Sequence, residues 1–169
     1  MKTSIKSSIY LPMAGMFLTL ALTGPAAAQK QVPFRGSVQG SEIDVFQGPP
    51  PGTLAVDGSL TGVATQLGQL TLTYELTVNL ANGSATGSAE LIAANGDIIF
   101  TTIVGQGQPT DTPDINHIVE INTITDGTGR FAHAEGSFTL DRLVDLTTGV
   151  TSGSFHGTIT PPGALQRGH

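Results

Sequence analysis

Phe138, Leu140, Arg142 and Val144 recur at every second position, so a strand through this stretch sets an arginine among apolar side chains. A guanidinium on such a face needs a carboxylate, a backbone acceptor or an anionic ligand, because burying it alone is prohibitive. Glu75, Glu120 and Asp44 are candidate partners, and a structural ion pair is the simplest outcome. Glu120 and Asn122 share a face with Ile118 and Ile124, whereas His117 shares the other with Val119 and Ile121. A carboxylate among apolar neighbours can have its pKa raised and act as a general acid or base; the same residue could equally stand on the wet face of a sheet. The candidate polar residues of a pocket are therefore Arg142, Glu75, Glu120, Asn122 and His117, with Leu72, Tyr74, Leu76, Phe138 and Leu140 as candidate apolar lining.

Other residue types point to less. The four histidines, His117, His133, His156 and His169, lack the paired spacing of a metal site, and no metal ligand set is assigned. Asp111 and Asp114 could offer oxygens to calcium, but no EF-hand loop surrounds them. Gly127-Thr128-Gly129-Arg130 has the look of a phosphate cradle without the following helix or the phosphate-binding lysine, so a turn is expected. No serine stands in a nucleophile elbow. No cofactor is implied. Seven phenylalanines and no tryptophan give poor support for stacking of sugars or bases.

The elements that must position these residues read as strands. Thr71 to Leu80 alternates without a break, with Leu72, Tyr74, Leu76, Val78 and Leu80 on one face and Thr71, Thr73, Glu75, Thr77 and Asn79 on the other. Further strands are expected at Phe34 to Val38, Glu42 to Phe46, Leu60 to Gln66, Ser84 to Ala93, Asp97 to Val104, Ile115 to Thr125, within Phe131 to Val144, and at Val150 to Thr160. Asn82-Gly83 and Asn95-Gly96 provide tight hairpin turns. Pro49 to Pro51 mark one loop, and Gly105 to Asp114, with Pro109 and Pro113, reads as a second irregular segment. The count is about eight strands joined by short loops, which favours sequential antiparallel pairing. Many of the 22 glycines lie inside strand patterns, among them Gly36, Gly87, Gly136, Gly153 and Gly157, and bends and bulges of a closing barrel would account for them. The expected fold is all-β: an eight-stranded antiparallel closed barrel, with a two-sheet β-sandwich as the alternative.

Residues 1–28 read as a cleaved secretory signal peptide. Lys2 and Lys6 precede an apolar stretch from Ile9 to Leu22, and Ala26-Ala27-Ala28 suits a signal peptidase. The apolar stretch is shorter than the roughly 20 residues of a membrane span, so export without stable membrane insertion is expected, to the periplasm or the medium. A single barrel domain would occupy residues 29–160, followed by a flexible tail at 161–169. The chain has no cysteine, which excludes disulfides and thiolate metal sites. Beyond the leader, five basic residues face thirteen acidic ones, and Lys30, Arg35, Arg130, Arg142 and Arg167 are scattered. That is the opposite of the basic stripe of a nucleic-acid binder, so no nucleic acid is expected as a partner.

The run from Asp126 through Gly127, Thr128, Gly129, Arg130, Phe131, Ala134 and Gly136 to Phe138 resembles the turn and outgoing strand of the allene oxide cyclase and dirigent barrel superfamily. The likeness extends, over residues 34–159, to uncharacterised exported bacterial members. The resemblance implies an eight-stranded antiparallel barrel, homo-oligomeric in many members. It also implies cyclisation of an unstable fatty-acid epoxide or stereochemical guidance of radical coupling, neither with a bound cofactor. The catalytic residues of the cyclases do not map onto this chain position by position. The reading therefore favours an exported barrel that binds a small hydrophobic ligand. A cofactor-independent cyclase or isomerase, and a structural or partner-binding envelope protein, are the alternatives.

Overall fold

A computed structural model describes residues 30–164. The expected signal peptide and residues 165–169 of the expected tail lie outside the described residues. Eight strands follow one another: β1 (Val32–Gln47), β2 (Thr53–Ala64), β3 (Gly68–Asn79), β4 (Ser84–Ala93), β5 (Ile98–Pro109), β6 (Ile115–Gly127), β7 (Gly136–Asp145) and β8 (Val150–Ile159). Each pairs antiparallel with its sequence neighbour, and β8 pairs antiparallel with β1, which closes the sheet into a barrel and excludes the two-sheet sandwich. Closure pairs every strand with two neighbours, although β1 beyond Ser41 outruns its ladder with β8 and continues paired with β2 alone. Among the described residues no helix is long and apolar enough to cross a membrane.

Side-chain parity decides what fills the barrel. In β3, Leu72, Tyr74 and Leu76 are buried inside, while Glu75 and Thr77 are exposed outside. Three rings, Phe34, Phe138 and Phe155, meet in the lumen with centroids 4.9 to 5.4 Å apart. Leu60, Leu72, Leu91, Ile99, Leu140 and Ile159 pack around them, each almost fully buried. The same end of the barrel is closed by a single 3-10 turn, Gly129–Phe131, whose Phe131 is 1% exposed. The turn expected at Gly127 to Arg130 is thus a plug rather than an anion cradle. Gly129 has φ +55° and a Cβ there would meet the Asp97 carboxylate, Thr128 Oγ1 accepts the Ile98 N–H at 2.9 Å, and the Arg130 guanidinium lies 4.9 Å from the Phe131 ring centroid.

Three expected boundaries shift. Phe34 to Val38 and Glu42 to Phe46 are one continuous strand, because Gly40 is a strand residue: a Cβ there would come within 2.2 Å of the Ser59 carbonyl oxygen. The barrel needs β1 to be long, since its first part pairs with β8 and its later part with β2. β2 begins at Thr53 rather than Leu60, and Asp57-Gly58, which has the composition of a turn, is paired on both sides with Ile43 and Glu42 of β1 and Glu75 and Tyr74 of β3. β5 runs on through Gly105 and Gly107 to Pro109, paired with Glu120, Ile118 and Asn116 of β6.

Some strand glycines have a cause other than the bends anticipated, although Gly136, with φ +143°, does take a backbone conformation that suits glycine. Among the described residues one register irregularity interrupts the ladders, between Phe100 and Thr101. Gly36 and Gly58 lie under large lumen side chains, where a Cβ would overlap the rings of Phe155 and Tyr74, whereas a Cβ on Gly157 would meet the Ser137 carbonyl oxygen and the Cα and Cβ of Phe138. The lumen of an eight-stranded barrel is just wide enough for side chains, so the Phe155 and Tyr74 rings are accommodated by an absent side chain on the neighbouring strand. Truncating a ring in so tight a space should leave a void. We expect Phe138→Ala to destabilise the protein by about 3–5 kcal/mol in equilibrium chemical denaturation.

Candidate functional site

The packed half of the lumen ends at a layer of polar side chains, and beyond it the barrel is open. Arg142 of β7 and Glu120 of β6 point inward from adjacent strands, offset by one pair: Arg142 stands opposite Ile118, and Glu120 opposite Leu140. Nε and Nη2 of Arg142 donate to the two Glu120 oxygens at 3.3 and 2.9 Å, a bidentate fork. Nη1 donates to Glu42 of β1 at 2.7 Å and to the Thr151 hydroxyl of β8 at 3.1 Å. Gly153 of β8 stands opposite Arg142, and a Cβ there would come within 2.5 Å of the Arg142 Cβ. Tyr74 of β3 completes the layer: its ring covers Gly58, its hydroxyl donates to Glu42 at 2.5 Å, and its centroid is 5.1 Å from the guanidinium carbon.

These groups are withdrawn from water. The side chains of Arg142 and Glu120 are each 2% exposed and that of Glu42 is 6% exposed. Burial by itself would pull the arginine pKa down, but the Glu120 charge and hydrogen bonds, helped by Tyr74 and Glu42, hold it above its ordinary value. Burial is the main reason the Tyr74 hydroxyl is pushed well above the usual phenol range, with Arg142 opposing and Glu42 reinforcing the shift. Both groups therefore keep their protons throughout the neutral range, Arg142 as a cation and Tyr74 as a neutral donor. Asp44, two residues beyond Glu42 on the same face of β1, stands at the rim; desolvation first, and then the Glu42 charge, raise its pKa against the pull of Arg142.

Above the polar layer lies an opening of about 800 Å³ between the ends of the strands. Leu54, Val56, Leu76, Val78, Ile118 and Val144 form its walls, Phe46, Leu80 and Leu146 its rim, and Arg142, Glu120 and Glu42 part of its floor. A second depression of about 890 Å³ lies on the outer wall of β1 to β4, lined by Ser37, Gln39, Thr61, Gln69 and Thr71 and by no ionisable side chain. Its volume is larger, but it lacks converging polar groups, so the lumen opening is the better candidate.

The expected site residues are thus divided. Arg142 and Glu120 meet as an ion pair, with Glu42 as an additional partner. Asn122 lies one inward position deeper on β6, 2% exposed; its Oδ1 accepts the Thr101 hydroxyl at 3.1 Å and its Nδ2 has no protein partner. Leu76 lines the opening, Tyr74 belongs to the polar layer, and Leu72, Phe138 and Leu140 are packed core rather than pocket lining. Glu75 is exposed on the outer wall, and His117, also outside, pairs with Asp141 at 2.8 Å, so neither belongs to the site. Glu42 escaped notice because splitting β1 lost its register; read as one strand, Phe34, Val38, Glu42 and Asp44 share a parity and a face. Among the described residues no group of three or more histidine, aspartate or glutamate side chains is placed to hold a metal ion.

No family model and no curated protein matches the chain. Among solved structures, a pterocarpan synthase dirigent protein aligns with a TM-score of 0.53 at 15% sequence identity, over 90% of this chain and 98% of that one. At such identity the likeness is one of fold: an eight-stranded antiparallel closed barrel of the allene-oxide-cyclase and dirigent type.

Removing the cation from a buried cluster strands its carboxylates. We expect Arg142→Met to cost about 3–5 kcal/mol in denaturant unfolding, and the triple variant that adds Glu42→Gln and Glu120→Gln to recover much of the loss. Asp44 carries the opposite sign. A carboxyl whose pKa is higher in the folded protein than in the unfolded chain makes stability fall as pH rises from the ordinary aspartate range through the folded-state value. Asp44→Asn should therefore melt at a higher temperature than the parent at pH 7, with the difference shrinking as the pH is taken below the aspartate range.

Proposed function

We propose that this protein is an exported binding module that takes a small, mainly apolar ligand into the open half of its barrel. The observation that carries the reading is the division of the lumen: one half is filled by interlocking rings, and the other is an apolar-walled opening of about 800 Å³ with a satisfied polar floor. A volume of that order suits a small organic molecule, and few, fixed polar groups among apolar walls are the usual composition of such sites. The leader-like pattern of residues 1–28 and the polar outer face of β3, with Thr73, Glu75 and Thr77, support a barrel that works in water outside the cytoplasm.

A cyclase or isomerase reading draws on the dirigent likeness and on Glu120, which lines the opening. Both Glu120 oxygens accept from Arg142, however, so the carboxylate is already engaged as the counter-ion of a buried cation. Binding is the function the geometry supports better, and open volume speaks against a barrel that serves only as a filled scaffold.

N-phenyl-1-naphthylamine, a neutral apolar fluorophore, should bind the protein saturably with one site per barrel. Val78→Trp, which places an indole in the wall of the opening, should abolish that binding while leaving the melting transition cooperative. A fluorescence titration with no saturation, or one unchanged by Val78→Trp, would overturn the reading.

A further inference from the structure

The charges around the opening are unbalanced, and the imbalance bears on which polar end a ligand can bring. Its lining includes three carboxylates, Glu42, Asp44 and Glu120, and one base, Arg142; the remaining polar side chains there, such as Gln106, Gln108 and Asn116, are neutral. Arg142 is the residue that would ordinarily receive an anionic ligand. Here four of its N–H groups are committed, two to Glu120, one to Glu42 and one to Thr151. A carboxylate entering the opening would find at most one Arg142 N–H uncommitted, the second on Nη2, and would meet the negative charges of the surrounding carboxylates on the way. Asp44, by contrast, has no hydrogen-bond or ion-pair partner for its carboxyl among the described residues, and it stands at the rim where an entering molecule's polar end would remain partly in water.

We propose that the opening selects apolar molecules that end in a protonated amine and rejects those that end in a carboxylate, with Asp44 and Glu42 facing the ammonium and Leu54, Val56, Leu76 and Val78 holding the apolar body. This rests on the opening being a ligand site and adds the class of ligand to it. The arrangement has a physical economy: Glu42 is already held in place by Tyr74 and Arg142, so a cation at the rim meets a fixed negative charge without having to order it. Desolvation is the first cause of the upward shift of Asp44 and the Glu42 charge the second; a cation beside the two carboxylates would relieve that second part as a proton does.

Decylamine, decanol and decanoate share one apolar body and differ in the charge of the head. Each is titrated at pH 7, below its micelle-forming concentration, against N-phenyl-1-naphthylamine bound to the intact barrel. We expect decylamine to displace the probe at a concentration about threefold lower than decanol does, and decanoate to be the weakest of the three. Asp44→Asn should bring the amine-to-alcohol ratio towards one, and raising the salt concentration should do the same in the parent protein. Decanoate binding as tightly as decylamine, or an amine preference untouched by Asp44→Asn, would overturn the charge selection while leaving the opening as an apolar site. Failure of all three to displace a probe that binds saturably would place the probe elsewhere and overturn both readings.

Discussion

Arg142 is a cation that the barrel encloses, and the cost of enclosing it organises the residues around it. A buried guanidinium left alone would cost several kcal/mol, so the sheet must bring acceptors to it from elsewhere in the chain. Glu120 comes from the adjacent strand β6, Thr151 from β8 and Glu42 from β1, so one side chain ties together the strands on both sides of the β8–β1 seam where the barrel closes. A buried ion pair is weak evidence of net stability, since an apolar layer of the same volume could serve as well. Its consequence lies in specificity: a register slip of one residue in β1, β6 or β7 would turn one member of the cluster to the outside and leave the others unpaired.

The same cluster separates two regimes of packing. On the closed side, rings fill the lumen, and a glycine on the neighbouring strand makes room where one would otherwise clash, as Gly36 does for Phe155. Tyr74 is the last of these matched rings, lying over Gly58, and the first side chain to carry a polar group towards the open side. Past that layer the inward residues become Val56, Leu76, Val78, Ala85 and Val144, aliphatic and smaller, and the space they leave is the opening. Small residues thus play two roles in one barrel: they admit a neighbour's ring at one end and leave volume at the other.

Much of this was legible in the residues. The alternation in β3 and β4, the Asn82-Gly83 turn and the spacing of Phe138, Leu140 and Arg142 depend on local patterns, and the strands run where those patterns lie. Glycine was the main source of error, because its local meaning as a turn residue competes with its tertiary meaning as a vacancy under a neighbour's side chain. Gly58, Gly105 and Gly107 fall inside strands for the second reason and Gly40 because a neighbour's backbone lies close, neither of which a single-strand pattern reveals. The site suffered from the same error: breaking β1 near Gly40 hid the face shared by Val38, Glu42 and Asp44. Glu75 and His117 fail for a simpler reason, since their parity already opposed them to Tyr74 and Glu120.

Fold likeness alone would misdirect a functional reading of this barrel. At 15% identity, the alignment with a dirigent protein accounts for strand order and closure, whereas the chemistry of the opening is set by residues that strand order does not dictate. With the cation already satisfied from within, the group that looks most like an anion receptor is the one least able to act as one. The charge presented to an incoming molecule is therefore that of Asp44 and Glu42 rather than of Arg142, and the arginine acts by fixing Glu42 in place. A buried base in a pocket is thus to be read through its hydrogen-bond partners before its sign: what matters to a ligand is the charge left over after the protein's own groups have been paired.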